Sequence, residues 1–458
     1  MGDIAKDSLV SFTITRDPKN DSVCLANRPQ IFANACGIAV LLDPRQLSDS
    51  TELSNRLPCR WPRLNLICEM RAIDSGGIEM RYLFLAGAFA CFITSIDGQQ
   101  VVAAPDGFKT LEIGDQAPDF NLPGVDGREY SLKDFSEAKL LLVVFTCNHC
   151  PTAQAYESRI MQLAADFKDR KVALVAISPN DDQAVRLDEL GYSDVGDSFD
   201  DMKIRAKERG FKFPYLYDGK SQKTSIAYGV VATPQAFLFD ETRQLRYTGR
   251  TDDSEVKTVS THDTRNALEA LLAGKKVPVE KTRTFGCSTK WAEKRADAQA
   301  SIDKWNQEPV ILKSLDETTL AKLVKNDTED LLLINVWATY CAPCIAELPE
   351  FVAMNRMYRN RKLQMVTISI DDPEKKDDVL KFLQTRYVST TNYLSMLPDR
   401  DKLADLLDKE WAGPLPYTVL IAPGGKVLYR KQGPIEPLEV RRAIVDVLGR
   451  TYANKSKP

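Results

Sequence analysis

Two cysteine pairs with two-residue spacers, Cys147-Asn148-His149-Cys150 and Cys341-Ala342-Pro343-Cys344, carry most of the reactive chemistry in this 458-residue sequence. A thiolate is the form that attacks a disulfide, and a nearby second thiol can close a new disulfide with it. The spacing points to dithiol–disulfide exchange, present twice. A structural zinc site would want a second Cys or His pair within about 15–20 residues. Here the pairs lie far apart, and His149 and His262 are the two histidines of the chain. No metal and no bound cofactor is expected, since electrons can pass through mixed disulfides. The alternative reading of the same spacing is a non-catalytic module with permanent structural disulfides.

The flanking pattern says what must hold these thiols. Each pair follows an apolar run of strand character, residues 140–146 and 331–340, and precedes a helical pattern. A thiol at a helix N-terminus faces unpaired backbone N–H groups and the positive end of the helix dipole, both of which favour thiolate. Around the first pair, strands are expected at 140–145, 171–178, 236–239 and 245–248, with helices at 152–167, 199–208 and 264–273. Around the second, strands are expected at 331–336, 363–370, 418–421 and 426–429, the last two about the turn Pro423-Gly424-Gly425. Helices are expected at 317–325, after Cys341, and at 375–385, 400–410 and 438–448. This alternation predicts an α/β fold in two tandem domains, each a central mixed sheet flanked by helices. The domains are placed at 106–287 and 309–458. Residues 288–308, charged and alanine-rich, are read as a helical connector.

The composition is that of an ordinary globular protein, 43% hydrophobic and 27% charged. With 61 basic and 64 acidic residues, the net charge of −3 gives no reason to expect a nucleic-acid partner. Residues 81–96 form an apolar run behind Arg81, followed by the small residues Gly98, Ala103 and Ala104. That run is short for a membrane span, which needs about 20 residues. Residues 80–104 are read as an export signal starting at Met80, with no stable membrane insertion after cleavage. Residues 1–79 then form an upstream or disordered segment. The rival is a genuine N-terminal segment followed by a signal anchor or buried helix. Setting aside Cys24, Cys36, Cys59, Cys68 and Cys91 leaves the two pairs and Cys287. Export would place these thiols in an oxidising, periplasmic or otherwise extracytoplasmic compartment.

The run Trp337-Ala338-Thr339-Tyr340-Cys341-Ala342-Pro343-Cys344, with Pro349 beyond it, resembles the active-site segment of thioredoxin-superfamily proteins of the TlpA/ResA type. The resemblance implies a thioredoxin-like domain in which Cys341 attacks and Cys344 resolves. It also implies that Asn335 stands where cytosolic thioredoxins carry a buried aspartate. Glu347, one turn after Cys344, would then take the Cys344 proton; a plain solvated glutamate is the alternative. Leu415-Pro416 fits the family's cis-proline loop, which presents backbone groups to an extended substrate, although Tyr417 replaces the commoner threonine. Thr233-Pro234 is its counterpart in the first block.

Residues 106–291 resemble a redoxin-like branch related in fold to the peroxiredoxins (AhpC/TSA fold). The resemblance is carried by residues 113–120 (IGDQAPDF), by Cys147-Asn148-His149-Cys150-Pro151 and by residues 285–291 (FGCSTKW). It implies that Cys147 is a nucleophile and Cys150 its resolving thiol. His149, when protonated, would stabilise a Cys147 thiolate; a histidine packing on its neighbours at the helix N-terminus is the alternative. Ala153 stands where the second block has Glu347. The stretch before Cys147 lacks the P-x-x-x-[ST]-x-x-C context of peroxidatic cysteines. Cys287 is either an accessory thiol near the first site or a buried free thiol. The partners implied are protein thiols and disulfides together with an upstream electron donor or acceptor. A thiol peroxidase with a fused reductant domain is the enzymatic rival.

Overall fold

The computed structural model describes residues 105–255 and 258–452 in full, together with the backbone of four short strands nearer the N-terminus. Those strands form two antiparallel hairpins, β1 (Ile14–Arg16) with β2 (Val23–Leu25) and β3 (Cys68–Ile73) with β4 (Gly77–Tyr82). They belong to a separate compact unit, residues 1–99. Met80 falls within β4, and the rest of the expected export signal, residues 83–104, lies outside the described residues.

The second unit holds both cysteine pairs. A small hairpin of β5 (Asn121–Pro123) and β6 (Glu129–Ser131) leads into β7 (Leu140–Phe145). All six β7 residues are apolar and buried, the mark of a strand covered on both faces. The chain continues through α1 (Pro151–Phe167), β8 (Val172–Ser178), α2 (Phe199–Arg209), β9 (Tyr215–Tyr217) and α3 (Lys223–Tyr228). Next come β10 (Ala232–Thr233), β11 (Gln235–Phe239), β12 (Leu245–Gly249), α4 (Asp263–Leu272) and β13 (Cys287–Ser288). The sheet order is β12-β11-β7-β8-β9, with β7, β8 and β9 parallel and β11 antiparallel to both neighbours. Tyr156, Ile160 and Leu163 of α1 and Ala267 and Leu268 of α4 pack on one face. Leu111, Phe120 and Tyr228 cover the other.

The connector helix α5 (Arg295–Asn306) begins later than expected at 288. Cys287 and Ser288 are drawn into β13, and a 3-10 turn (Ala292–Lys294) precedes α5. Then follow β14 (Leu312–Leu315), α6 (Glu317–Lys325), β15 (Leu331–Trp337), α7 (Ala342–Met357), β16 (Leu363–Ser369) and α8 (Lys376–Gln384). The chain closes with β17 (Thr391–Ser395), α9 (Arg400–Leu407), β18 (Tyr417–Ile421), β19 (Val427–Gln432) and α10 (Pro437–Leu448). The order is β14-β17-β16-β15-β18-β19, parallel through β15 and antiparallel beyond. Both halves thus share a central CxxC-bearing strand flanked by a parallel and an antiparallel neighbour, and both are thioredoxin-like.

The two domains are clasped through residues 181–198, the irregular excursion between β8 and α2. Leu187 and Leu190 pack into the core that holds Met357 and Tyr358. Tyr358 donates to Ser193 O at 3.1 Å, and buried Asp194 receives Arg442 (3.4 Å) and Arg450. Arg361 donates to Gly191 O and lies 3.8 Å above the Tyr192 ring. A Cβ on Gly191 would come within 2.7 Å of Met357 O, so the glycine sets how closely the domains approach.

Candidate active site

Both cysteine pairs sit at the strand–helix turn, but the two helices start at different places. In the second domain Cys341 is the N-cap of α7, and its Sγ accepts from the Cys344 N–H at 3.3 Å. In the first domain Cys150 is the N-cap and Pro151 is the first helical residue. Proline suits that position, because its φ is preset and its missing N–H would be unpaired anyway. Pro151 thereby hands the capping role, with its free N–H groups, to the second cysteine of the pair.

Cys341 and Cys344 form a disulfide with Cα atoms 5.3 Å apart, and Cys341 is 9% exposed. Behind it, Glu347 Oε1 accepts from Asn335 Nδ2 (3.0 Å) and Oε2 from the Ile435 N–H (2.9 Å). Asn335 Nδ2 also donates to Thr418 Oγ1 at 3.1 Å. Burial pushes the Glu347 carboxyl above the usual glutamate value, and the two hydrogen bonds only partly offset it. Glu347 is therefore a buried, oriented carboxyl rather than a solvated one. The Leu415–Pro416 bond is cis, as is Thr233–Pro234 in the first domain. Beside the disulfide an open cleft of about 550 Å³ is lined by Tyr340, Asp372, Ser395, Asp399 and Asp401. Tyr340, adjacent to Cys341, is 71% exposed.

The first site is closed and reduced. Cys147 and Cys150 are free thiols, 2% and 0% exposed. Cys147 Sγ is 3.1 Å from Thr233 Oγ1, Cys150 Sγ is 3.5 Å from Thr233 O, and the Cys287 N–H points at Cys150 Sγ from 3.3 Å. The residue that organises this pocket is Asp197. Its Oδ1 accepts the backbone N–H groups of Asn148 (2.9 Å) and His149 (3.0 Å). Its Oδ2 lies 2.6 Å from His149 Nδ1 and accepts from Asn180 Nδ2 at 2.7 Å. Burial alone would discharge both partners, yet each charge outweighs that for the other. His149 is held above its ordinary value by Asp197, and Asp197 below its own by His149 and Asn180. His149 Nε2 is buried and has no hydrogen-bond partner.

The thiols divide unequally. Burial and donation toward Cys150 push the Cys147 thiol well up, with Asp197 adding to the effect. Burial also opposes ionisation of Cys150, but thiol hydrogen bonds from Cys147 and Cys287, the His149 charge and the Ala153 N–H hold it well below the usual thiol value. The imidazolium was expected to favour thiolate at Cys147. In this closed geometry a His149 nitrogen lies within 4.8 Å of Cys147 Sγ, and its charge also helps hold the Cys150 thiol down.

Cys147 Sγ, a His149 nitrogen and an Asp197 oxygen lie within 4.8 Å of one another, a donor set of metal-binding types. His149 Nδ1 and Asp197 are already paired with each other, Cys147 Sγ contacts Thr233 Oγ1, and the void beside Cys147 is only about 10 Å³, close to the volume needed for one water. The arrangement suits a proton-holding dyad better than an ion.

Sequence reasoning missed Asp197, Asn180 and the partly buried pair of Lys290 Nζ with Glu189 Oε1 at 2.5 Å. Asn180, Asp197 and Lys290 lie in irregular segments and Glu189 in a short 3-10 turn, none of which carries a periodic pattern. It also missed Tyr452, at the C-terminal end of the second domain. Burial, together with the Cys287 and Cys150 sulfurs nearby, pushes that phenol up. The remaining histidine, His262, precedes α4 and sits 3.0 Å from Asp252.

The AhpC/TSA family profile matches residues 113–248 and 308–430, one stretch in each domain. The chain is 28% identical over 102 residues to the thiol-disulfide oxidoreductase ResA of Oceanobacillus iheyensis, covering 22% of this chain and 49% of that protein. It is 32% identical over 74 residues to Helicobacter pylori bcp, which bears the name of a peroxiredoxin, covering 16% of this chain and 49% of that protein. The chain thus spans about half the length of each of these two relatives. A solved structure of the hypothetical protein SMc02350 from Sinorhizobium meliloti is 34% identical, covering 40% of this chain and 97% of that one with a TM-score of 0.37. With a match in each half that together span more than half of its length, the chain belongs to the AhpC/TSA family.

Proposed function

We propose that the chain is an exported thiol–disulfide oxidoreductase that exchanges disulfides with protein partners at two redox centres. The observation that carries this reading is the Cys341–Cys344 disulfide at the start of α7, backed by the buried Glu347 carboxyl and set beside the cis-proline loop. Cys341 attacks a client disulfide and Cys344 resolves the mixed disulfide, with Glu347 taking its proton. Leu415 and Pro416, and Thr233 and Pro234 in the first domain, offer the backbone to an extended client. The exposed Tyr340 and the neighbouring cleft give such a client an approach. Cys147, Cys150 and His149 form the second centre, and an upstream thiol donor or acceptor recycles both. Residues 80–104 serve as the export signal, residues 1–79 precede the working protein, and the catalytic domains are 106–287 and 309–458, joined by 288–308. Among the described residues no helix is long and apolar enough to cross a membrane.

Insulin reduction by the full chain tests the activity. Loss of turnover in Cys341→Ser, and capture of client proteins as mixed disulfides by Cys344→Ser and Cys150→Ser, are the expected results. If neither pair can be alkylated in the folded chain after mild reductant, the pairs are structural and the reading fails.

A second reading, thiol peroxidase at the first site, is favoured by the near-complete burial of Cys147 and Cys150, which admits a small oxidant more readily than a protein. Hydrogen peroxide consumption that disappears in Cys147→Ser supports it. Insulin turnover without any peroxide consumption removes it.

A further inference from the structure

The first redox site is closed by a piece of its own chain. β13 lies antiparallel on β10, with Cys287 opposite Thr233 and Ser288 opposite Ala232. β10 ends at the cis Thr233–Pro234 bond, against the sulfurs of Cys147 and Cys150. At the matching position of the second domain, Leu415 before Pro416, no strand is paired among the described residues; β18 starts at Tyr417 and pairs with β15 and β19. Backbone left unpaired beside a reactive disulfide is a template for an extended polypeptide. In the first domain that template is already taken, and the residue taking it is a cysteine.

The segment is seated by several independent contacts. Gly286 has φ +144°, and a Cβ there would lie 2.0 Å from Thr233 O, so a side chain would lift the segment off β10. Before it, the Phe285 ring packs 6.0 Å from that of Tyr156. After it, Thr289 Oγ1 donates to Val230 O (3.1 Å) and the Lys290 N–H to Asn180 Oδ1 (2.9 Å). The Cys287 side chain packs on Cys147, Cys150 and Ala153.

We propose that Cys287 is a third redox-active cysteine, an internal substrate of the first site that exchanges with a Cys147–Cys150 disulfide to give a Cys150–Cys287 disulfide. This rests on the thiol–disulfide reading above. The Cys287 sulfur bonds to Cys150 Sγ, the Cys147–Cys150 bond breaks, and its electron pair stays on Cys147. The proton released by Cys287 is matched by one taken up at Cys147, so the exchange is redox-neutral and needs no further oxidant. A client chain reaching this site competes with β13 for the β10 backbone and with Cys287 for the sulfur.

The test is disulfide mapping of the full-length chain. The protein is equilibrated in reduced and oxidised glutathione, acid-quenched, alkylated and digested with trypsin without reduction. A covalent link between peptide 284–290 and peptide 140–159 is expected in the unmodified protein. It should be the main product of this site in Cys147→Ser and be lost in Cys150→Ser. Gly286→Ala should speed alkylation of Cys287 and lose the link while the Cys147–Cys150 disulfide still forms. The proposal is overturned if Cys287 stays fully alkylatable in every buffer while Cys147–Cys150 forms normally. If no disulfide forms at this site in any buffer, the oxidoreductase reading of the first domain falls with it.

Discussion

Asp197→Asn is expected to destabilise the first domain by about 3–5 kcal/mol, the usual cost of leaving one member of a buried ion pair without its partner. Asp197 and His149 are both enclosed, and Asp197 also satisfies two backbone N–H groups and Asn180. Asparagine can keep some of those bonds but not the charge. His149 titrates above its unfolded value of 6.5 and Asp197 below its unfolded value of 3.8. The contribution of the pair is therefore complete between those two values. It is lost as pH rises through the raised imidazole value, and again as pH falls through the lowered carboxyl value. Hydrogen exchange of peptides covering β7 and α1 at about pH 5.5 measures the effect within the intact chain. Equal protection in variant and parent would show that the pair contributes nothing to stability. The same substitution removes the field of His149 from Cys150, so the titration of that thiol should move upward.

At the second site, Glu347→Gln is expected to slow disulfide exchange about 10²-fold at neutral pH, the lower end of what a positioned general base supplies. The carboxylate must be ionised to accept the Cys344 proton. Activity should fall as pH drops through a value above that of an ordinary glutamate, in keeping with the raised carboxyl. In Glu347→Gln that acid limb should vanish, a change that a purely structural role would not produce. A variant with an unaltered rate and pH profile would remove Glu347 from the mechanism. Burial also makes the carboxylate unfavourable to folding: its raised value means stability is lost as pH rises from 4.5 through the folded value.

The reach of the sequence is clearest at these two residues. Glu347 was legible because it lies one helical turn from Cys344, and short-range spacing is what a sequence displays directly. Asp197 is distant in sequence from His149 and sits in an irregular excursion, where nothing in the local pattern marks a contact. The central strands β7 and β15 were legible from continuous apolar runs. Edge strand β14 and its neighbour β17 were not, because their Lys313, Ser314, Thr391 and Asn392 break any apolar run. The differing helix starts had a visible cause, since proline directly follows Cys150 whereas it precedes Cys344. The similar spacing of the two pairs drew attention away from it.

The clasp between the domains bears on how electrons would travel between the two proposed centres. Gln154, just past Cys150, donates to Tyr192 O at 2.9 Å, so the first site lies next to the clasp. The second domain grips that clasp with Met357 and Tyr358, at the far end of α7 from Cys341. Sixteen residues at about 1.5 Å each leave the second disulfide roughly 24 Å away along that helix. Sulfur must touch sulfur for exchange. If both sites exchange disulfides as proposed, this arrangement makes them two separate circuits, to be joined by a diffusing thiol carrier or an opened clasp.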